Sequence, residues 1–71
     1  MRKYYTVWFT KELEHYKFET IYSNVEIDKK NDAIKYAEQN LKFYNDATVY
    51  LVTEKERKIF YRMIEVIENN K

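Results

Sequence analysis

The sequence predicts an α+β domain in which one helix packs on a four-stranded antiparallel sheet, in the order ββαββ. Three observations predict it. Two runs rich in aromatic and β-branched residues open the chain, a single segment of helical periodicity follows, and two further β-rich runs close it. Seventy-one residues leave room for one core, so residues 1–71 are read as one small domain.

Lys3 to Phe9 is the first strand. Tyr5, Val7 and Phe9 alternate with Tyr4, Thr6 and Trp8, as a pleated ribbon with two different faces requires. A charged stretch from Lys11 to His15 separates it from a second strand, Tyr16 to Tyr22, in which Tyr16, Phe18, Thr20 and Tyr22 alternate with Lys17, Glu19 and Ile21. The pair reads as an antiparallel hairpin. No Asn-Gly or Gly-Gly pair marks a tight turn, so a loop of four or five residues built on a type I turn is expected.

Asp28 is the expected helix N-cap, its carboxylate accepting from the free amides of the first turn. Ala33, Ile34, Ala37, Leu41 and Tyr44 then recur at helical spacing, with Lys35, Glu38, Gln39 and Lys42 on other faces. Asn45 and Asp46 are expected to end the helix, because short polar side chains tolerate a left-handed backbone. Thr48 to Thr53 reads as the third strand.

Residues 56–68 support two readings. Ile59, Phe60, Met63, Ile64 and Ile67 share a helical face, and Thr53 with Glu56 has the form of a capping box, which gives the alternative ββαβα with a C-terminal helix. As a strand the same stretch is mostly β-branched or aromatic, with Phe60, Ile64 and Val66 on one side. A short internal echo, Thr-Val-Trp-Phe-Thr-Lys-Glu at 6–12 against Thr-Val-Tyr-Leu-Val-Thr-Glu at 48–54, tips the reading to a second hairpin. The tail from Glu65 to Lys71 is expected to fray.

Composition restricts the function classes. There is no cysteine, glycine or proline and only one histidine, His15, and one serine, Ser23. Nucleophilic and acid-base sites need several such groups held together, so the chain is expected not to be an enzyme and to use no cofactor. His15 falls in the expected loop among Lys11, Glu12 and Glu14, where a solvated histidine is the simplest reading, and the pairs Glu12/Glu14 and Glu54/Glu56 lack a third ligand for a metal. A phosphate-cradling loop needs glycine.

Thirteen basic and twelve acidic residues leave a net charge of +1, and the two signs are mixed along the whole chain. That is neither the basic footprint of a nucleic-acid binder nor the acidity of a nucleic-acid mimic. Absence of cysteine and of an apolar leader after Arg2 and Lys3 points to a cytoplasmic protein with no membrane role. Richness in Lys, Asn, Ile, Tyr and Phe suggests an AT-rich gene, as in a low-GC bacterium or its phage and mobile elements.

The aromatic content carries the remaining argument: eight Tyr, four Phe and one Trp. One helix covers one face of a small sheet, leaving the other for water or a partner. If Tyr5, Val7 and Phe9 pack under the helix with Phe18, then Tyr4, Trp8 and Tyr50 look outward, whereas the opposite register would expose Tyr5, Phe9 and Val49; Trp8 is the expected anchor of a protein-binding surface, with Tyr4, Tyr50 and Arg62 as neighbours. The plainer reading is that these rings complete the domain's own core, with tyrosine hydroxyls reaching solvent. Small size without disulfide or metal makes a homodimer the expected assembly, and a larger protein the expected target of an inhibitor or regulator. The alternative is a stacking platform for single-stranded nucleic acid, with Tyr4, Trp8, Tyr50 and Tyr61 under bases and Lys3, Lys17, Lys58 and Arg62 near phosphates, against Glu14, Glu19, Glu54 and Glu65 on the same strands.

Overall fold

A computed structural model describes residues 1–69. The chain runs β1 (Arg2–Glu14), β2 (Lys17–Tyr22), α1 (Lys30–Asn40), a single 3-10 turn (Leu41–Phe43), β3 (Asp46–Lys55) and β4 (Lys58–Glu68). The four strands form one antiparallel sheet in the order β2-β1-β3-β4. The expected ββαββ arrangement is therefore the observed one, and Lys58–Glu68 is a strand instead of a helix. Among the described residues no helix is long and apolar enough to cross a membrane.

Strand β1 is much longer than its aromatic core predicts. Thirteen extended residues span about 43 Å at about 3.3 Å per residue, which accounts for the 41 Å long axis of the molecule. Its N-terminal part pairs with β3 as far as Thr10↔Asp46, and beyond that point only β2 accompanies it. Residues 11–20 form a hairpin arm that overhangs the sheet, every one of them exposed. The charged stretch expected to be a loop is thus strand, and the turn is only His15 and Tyr16. Leu13 is an extra residue between the pairs Glu12↔Phe18 and Glu14↔Lys17, and Tyr16 is left-handed at φ 67°. This bulge and the left-handed residue supply the twist that a longer loop would otherwise absorb.

At the other end β3 and β4 are joined by Glu56 and Arg57, both left-handed at φ 49° and 69°. That is the backbone of a type I′ turn, normally built from Asn-Gly, here closed by two charged residues. Each left-handed L-residue costs about 1–2 kcal/mol, which the ladder from Lys55↔Lys58 to Asp46↔Glu68 offsets.

The helix begins one residue later than expected. Lys29, not Asp28, is the N-cap; no side chain caps the first turn, and Asp32 places the acidic charge that the helix N-terminus favours. Ala33 and Ala37, one turn apart on the same face, are completely buried against Val7, Phe9, Ala47 and Val49 of β1 and β3. Methyl side chains at those two positions let the helix lie close to the sheet. Tyr5, Ile21, Ile27, Ile34, Leu41, Tyr44, Ile64 and Ile67 pack around this centre. Phe9 and Tyr44 stack at 4.4 Å, closing the end nearest the arm.

Three further expectations are corrected. Phe18 pairs with Glu12 and lies on the face away from the helix, leaving Ile21 as the only β2 side chain packed against the core. The helix ends at Asn40 and passes through the 3-10 turn before Asn45, which has no left-handed backbone. Asn45 instead ties down the base of the arm: its N–H donates to the Thr10 carbonyl at 2.8 Å and its Oδ1 accepts from the Glu12 amide at 2.7 Å. The tail is ordered strand to Glu68, and Asn69 bonds to the Asn45 carbonyl and, through its side-chain amide, to the carbonyls of Leu41 and Tyr44. Asn70 and Lys71 lie outside the described residues.

Candidate functional site

Directly opposed residues in an antiparallel pair point to the same face, so the register sorts every strand side chain. Val7↔Val49 and Phe9↔Ala47 face the helix, which puts Tyr4, Thr6 and Trp8 of β1 on the other side. Their partners join them there: Tyr22 opposite Trp8, Tyr50 opposite Thr6, and Val52 opposite both Tyr4 and Tyr61. Met63, paired with Tyr50, and Val66, paired with Thr48, extend this face along β4.

The result is an aromatic cluster drawn from all four strands. The Trp8 ring lies 4.4 Å from Tyr50, 4.8 Å from Tyr22 and 5.0 Å from Tyr61, and Tyr50 meets Tyr61 edge-on at 6.1 Å. Tilted and edge-to-face contacts at these separations are the favoured geometries of aromatic pairs. Thr6, Thr48 and Val52 are the small neighbours on the same face, and they leave the space that lets Trp8 lie over the strands. Trp8 and Tyr50 are half-buried, whereas Tyr22 and Tyr61 are 56% and 50% exposed. Trp8 and Tyr50 thus pack within the chain, and the outer rings face solvent.

A groove of about 490 Å³ runs beside this cluster, between Tyr4, Trp8 and Tyr22 on the sheet and Asn24, Val25 and Glu26 of the β2-α1 connection. The connection forms a wall tied to β1 by hydrogen bonds. The Ser23 hydroxyl donates to the Val7 carbonyl at 2.6 Å, Asn24 turns at φ 59°, and Ile27 and Tyr5 exchange two backbone bonds of 2.7 and 2.9 Å. The only serine of the sequence is thus a connector that fixes the groove wall.

One cation contacts two of the groove residues, Tyr4 and Glu26. Arg2 pairs with Glu26 of the groove wall and with Glu54 of β3 at 3.2 Å, and its guanidinium lies 4.8 Å from the centre of the Tyr4 ring. Partial burial, and then the neighbouring Glu54 carboxylate, raise the Tyr4 phenol above its ordinary value. The hydrogen bond to Glu26 likewise raises Arg2.

Of the four residues expected to form the binding surface, Tyr4, Trp8 and Tyr50 are brought together and Arg62 is not. Arg62 pairs with Leu51, which pairs with Tyr5, so it lies on the helix side of the sheet. Lys3, opposite Thr53, and Lys58, opposite Lys55, share that side, and Lys17 lies out on the arm. The basic residues expected beside the aromatics are therefore separated from them. His15 stands exposed at the tip of the arm. Tyr22, Asn24 and Glu26 were not singled out from sequence; the alternation that places Tyr22 with Thr20 and Phe18 marks one of them, whereas the groove wall depends on a long-range bridge between Tyr5 and Ile27.

No family model matches the chain, and neither a curated protein nor a solved structure matches it.

Proposed function

We propose that the chain acts stoichiometrically as a small protein-binding module, regulating a larger partner through the aromatic face of its sheet, and that it does so as a homodimer. The observation that carries this reading is the four-strand cluster of Trp8, Tyr22, Tyr50 and Tyr61, packed into a fixed arrangement yet uncovered by any element among the described residues. Rigid aromatic side chains at the centre of a surface are the groups that dominate protein interfaces, because their burial costs little conformational entropy. The groove beside them, with Tyr4 and Val25 in its lining and Glu26, paired to Arg2, in its wall, adds polar groups next to the rings.

The surroundings favour a protein over single-stranded nucleic acid as the occupant. Stacking platforms work with cations that track the phosphates. Here Arg2 is already paired to two carboxylates, and Lys3, Lys58 and Arg62 are on the opposite side.

The test is affinity capture from extract of the source cell, with immobilised wild type and Tyr22→Lys, alongside titration of a fluorescent oligothymidylate at low salt. A single protein retained in stoichiometric amount by the wild type and lost with Tyr22→Lys is expected, with a flat oligonucleotide titration. Tight, salt-dependent oligonucleotide binding would replace this reading with the nucleic-acid one.

A further inference from the structure

We infer that β4 is the homodimer interface: two copies join edge to edge about a two-fold axis, continuing the sheet through paired β4 strands and leaving the aromatic face clear. This deepens the proposed function and rests on its dimeric part. The two edges of the sheet are unlike. β2 is six residues long, with Lys17 and Glu19 along it. β4 is eleven residues long, and Ile59, Phe60, Tyr61, Met63 and Val66 on it are all about half exposed or more. A long apolar edge is a template for another strand unless something restricts it.

What restricts it here is an irregularity at mid-strand. Tyr50 pairs with Met63 and Val49 with Glu65, so Ile64 is an extra residue and the alternation changes phase there. Before the bulge the odd-numbered residues Ile59, Tyr61 and Met63 lie on the aromatic face; after it the even-numbered Val66 and Glu68 do. Two such strands paired antiparallel about a two-fold axis keep their faces in phase only if the first half of each meets the second half of the other, with the bulges at the axis.

One of the in-phase registers matches the three pairs that flank the bulges at the axis. With the axis between Met63 and Ile64, Arg62 lies opposite Glu65 of the second copy, Phe60 opposite Ile67 and Tyr61 opposite Val66, each pair occurring twice and each on a matching face. Opposite charges and apolar pairs directly across a ladder stabilise it. Sliding by two residues either way sets Arg62 against Ile67 or Phe60 against Glu65. Within one copy neither Arg62 nor Glu65 is in a salt bridge, among the described residues.

The backbone agrees with this register. Asn69 donates to the Asn45 carbonyl, and bonding alternates along an antiparallel ladder, so odd-numbered β3 residues bond to β4 and their partners Arg62, Glu65 and Ile67 point inward. Tyr61 and Val66 therefore turn their N–H and C=O groups outward, and in the two-fold register they face each other as a hydrogen-bonded pair.

Sedimentation velocity at tens of micromolar tests this with charge reversals. The wild type is expected to sediment as a dimer, and Arg62→Glu and Glu65→Arg each as a folded monomer by circular dichroism. An equimolar mixture of these two variants is expected to return to the dimer, because both cross-strand contacts then set an acidic side chain of one variant against a basic side chain of the other. The double variant R62E/E65R, which exchanges the two signs, is expected to dimerise like the wild type. Slow amide exchange at Tyr61 and Val66 in the wild type, lost in either single variant, gives a second readout. A monomeric wild type, a dimer that survives both single reversals, or a mixture that stays monomeric overturns the β4 interface. None of these results bears on capture by the aromatic face, which Tyr22→Lys reports separately.

Discussion

The two faces of the sheet are built from different materials. On the helix side the fully buried residues are small, with Val7, Ala47 and Val49 against Ala33 and Ala37, and Phe9 is the one large ring among them. On the other side the central positions are Trp8, Tyr22, Tyr50 and Tyr61, packed edge-on and tilted, each with part of its surface in water. Small aliphatic groups allow a helix to approach and exclude water completely. Large amphipathic rings make a surface that holds its shape without a cover. The difference divides the two faces: the helix side excludes water around its centre, and the aromatic side keeps part of each of these rings in solvent.

Breaking the helix side should have the largest effect. Phe9→Ala removes a ring that is 2% exposed and stacked on Tyr44. Such a truncation costs about 3–5 kcal/mol, as much as the whole core of a domain this size supplies. Phe9→Ala is expected to show no cooperative thermal transition by circular dichroism. Trp8→Ala, at the centre of the other face, removes a half-buried ring and is expected to cost about 1–3 kcal/mol in chemical denaturation, leaving a folded domain.

The β3-β4 turn sharpens the comparison from outside either face. Replacing Glu56 and Arg57 by Asn and Gly supplies the residues a type I′ turn favours, at positions that are left-handed already. A gain of about 1–2 kcal/mol is expected, which raises the melting temperature of a domain this size by roughly 4–16 °C. If the gain is absent, the turn relaxes more easily than its dihedral angles imply.

Tyr4, at the groove, gives the smallest effect. Its phenol is raised above the ordinary 10.0 in the folded chain. The folded state therefore holds this proton more tightly than the unfolded chain, so the contribution is intact below about pH 10 and is lost as pH rises beyond it. Tyr4→Phe is expected to flatten the alkaline fall in urea midpoint slightly, and Glu54→Gln to lower the Tyr4 titration seen by phenolate absorbance.

Most of the fold was legible because its periodicities are local. Tyr5, Val7 and Phe9 alternate with Tyr4, Thr6 and Trp8, and Ala33 and Ala37 recur at helical spacing, so the two sets of strand side chains separate by residue order alone, while only the packing of the helix decides which set it covers. The failures have a shared cause in irregular backbone. Leu13 and Ile64 are bulges, and each reverses the alternation beyond it, which is why Val66 lies on the face opposite Phe60 and Ile64 instead of with them. Without glycine, the left-handed turns at Tyr16, Glu56 and Arg57 carry no marker in the sequence. Arg62 was assigned to the aromatic face because the strand pairing that places it beside Leu51 and Tyr5 depends on a register that no local pattern specifies. The groove is absent from the sequence reading for the same reason, since its wall hangs on the contact between Tyr5 and Ile27, far apart in the chain.

The division between the two faces is tested most directly by measuring the unfolding free energies of Phe9→Ala and Tyr22→Lys side by side. Tyr22 is 56% exposed and touches Trp8 edge-on at 4.8 Å, so its replacement is expected to cost no more than about 1.5 kcal/mol, with the cooperative transition retained while Phe9→Ala loses it. A Tyr22→Lys chain that unfolds as completely as Phe9→Ala would contradict the division and make the aromatic face part of the core.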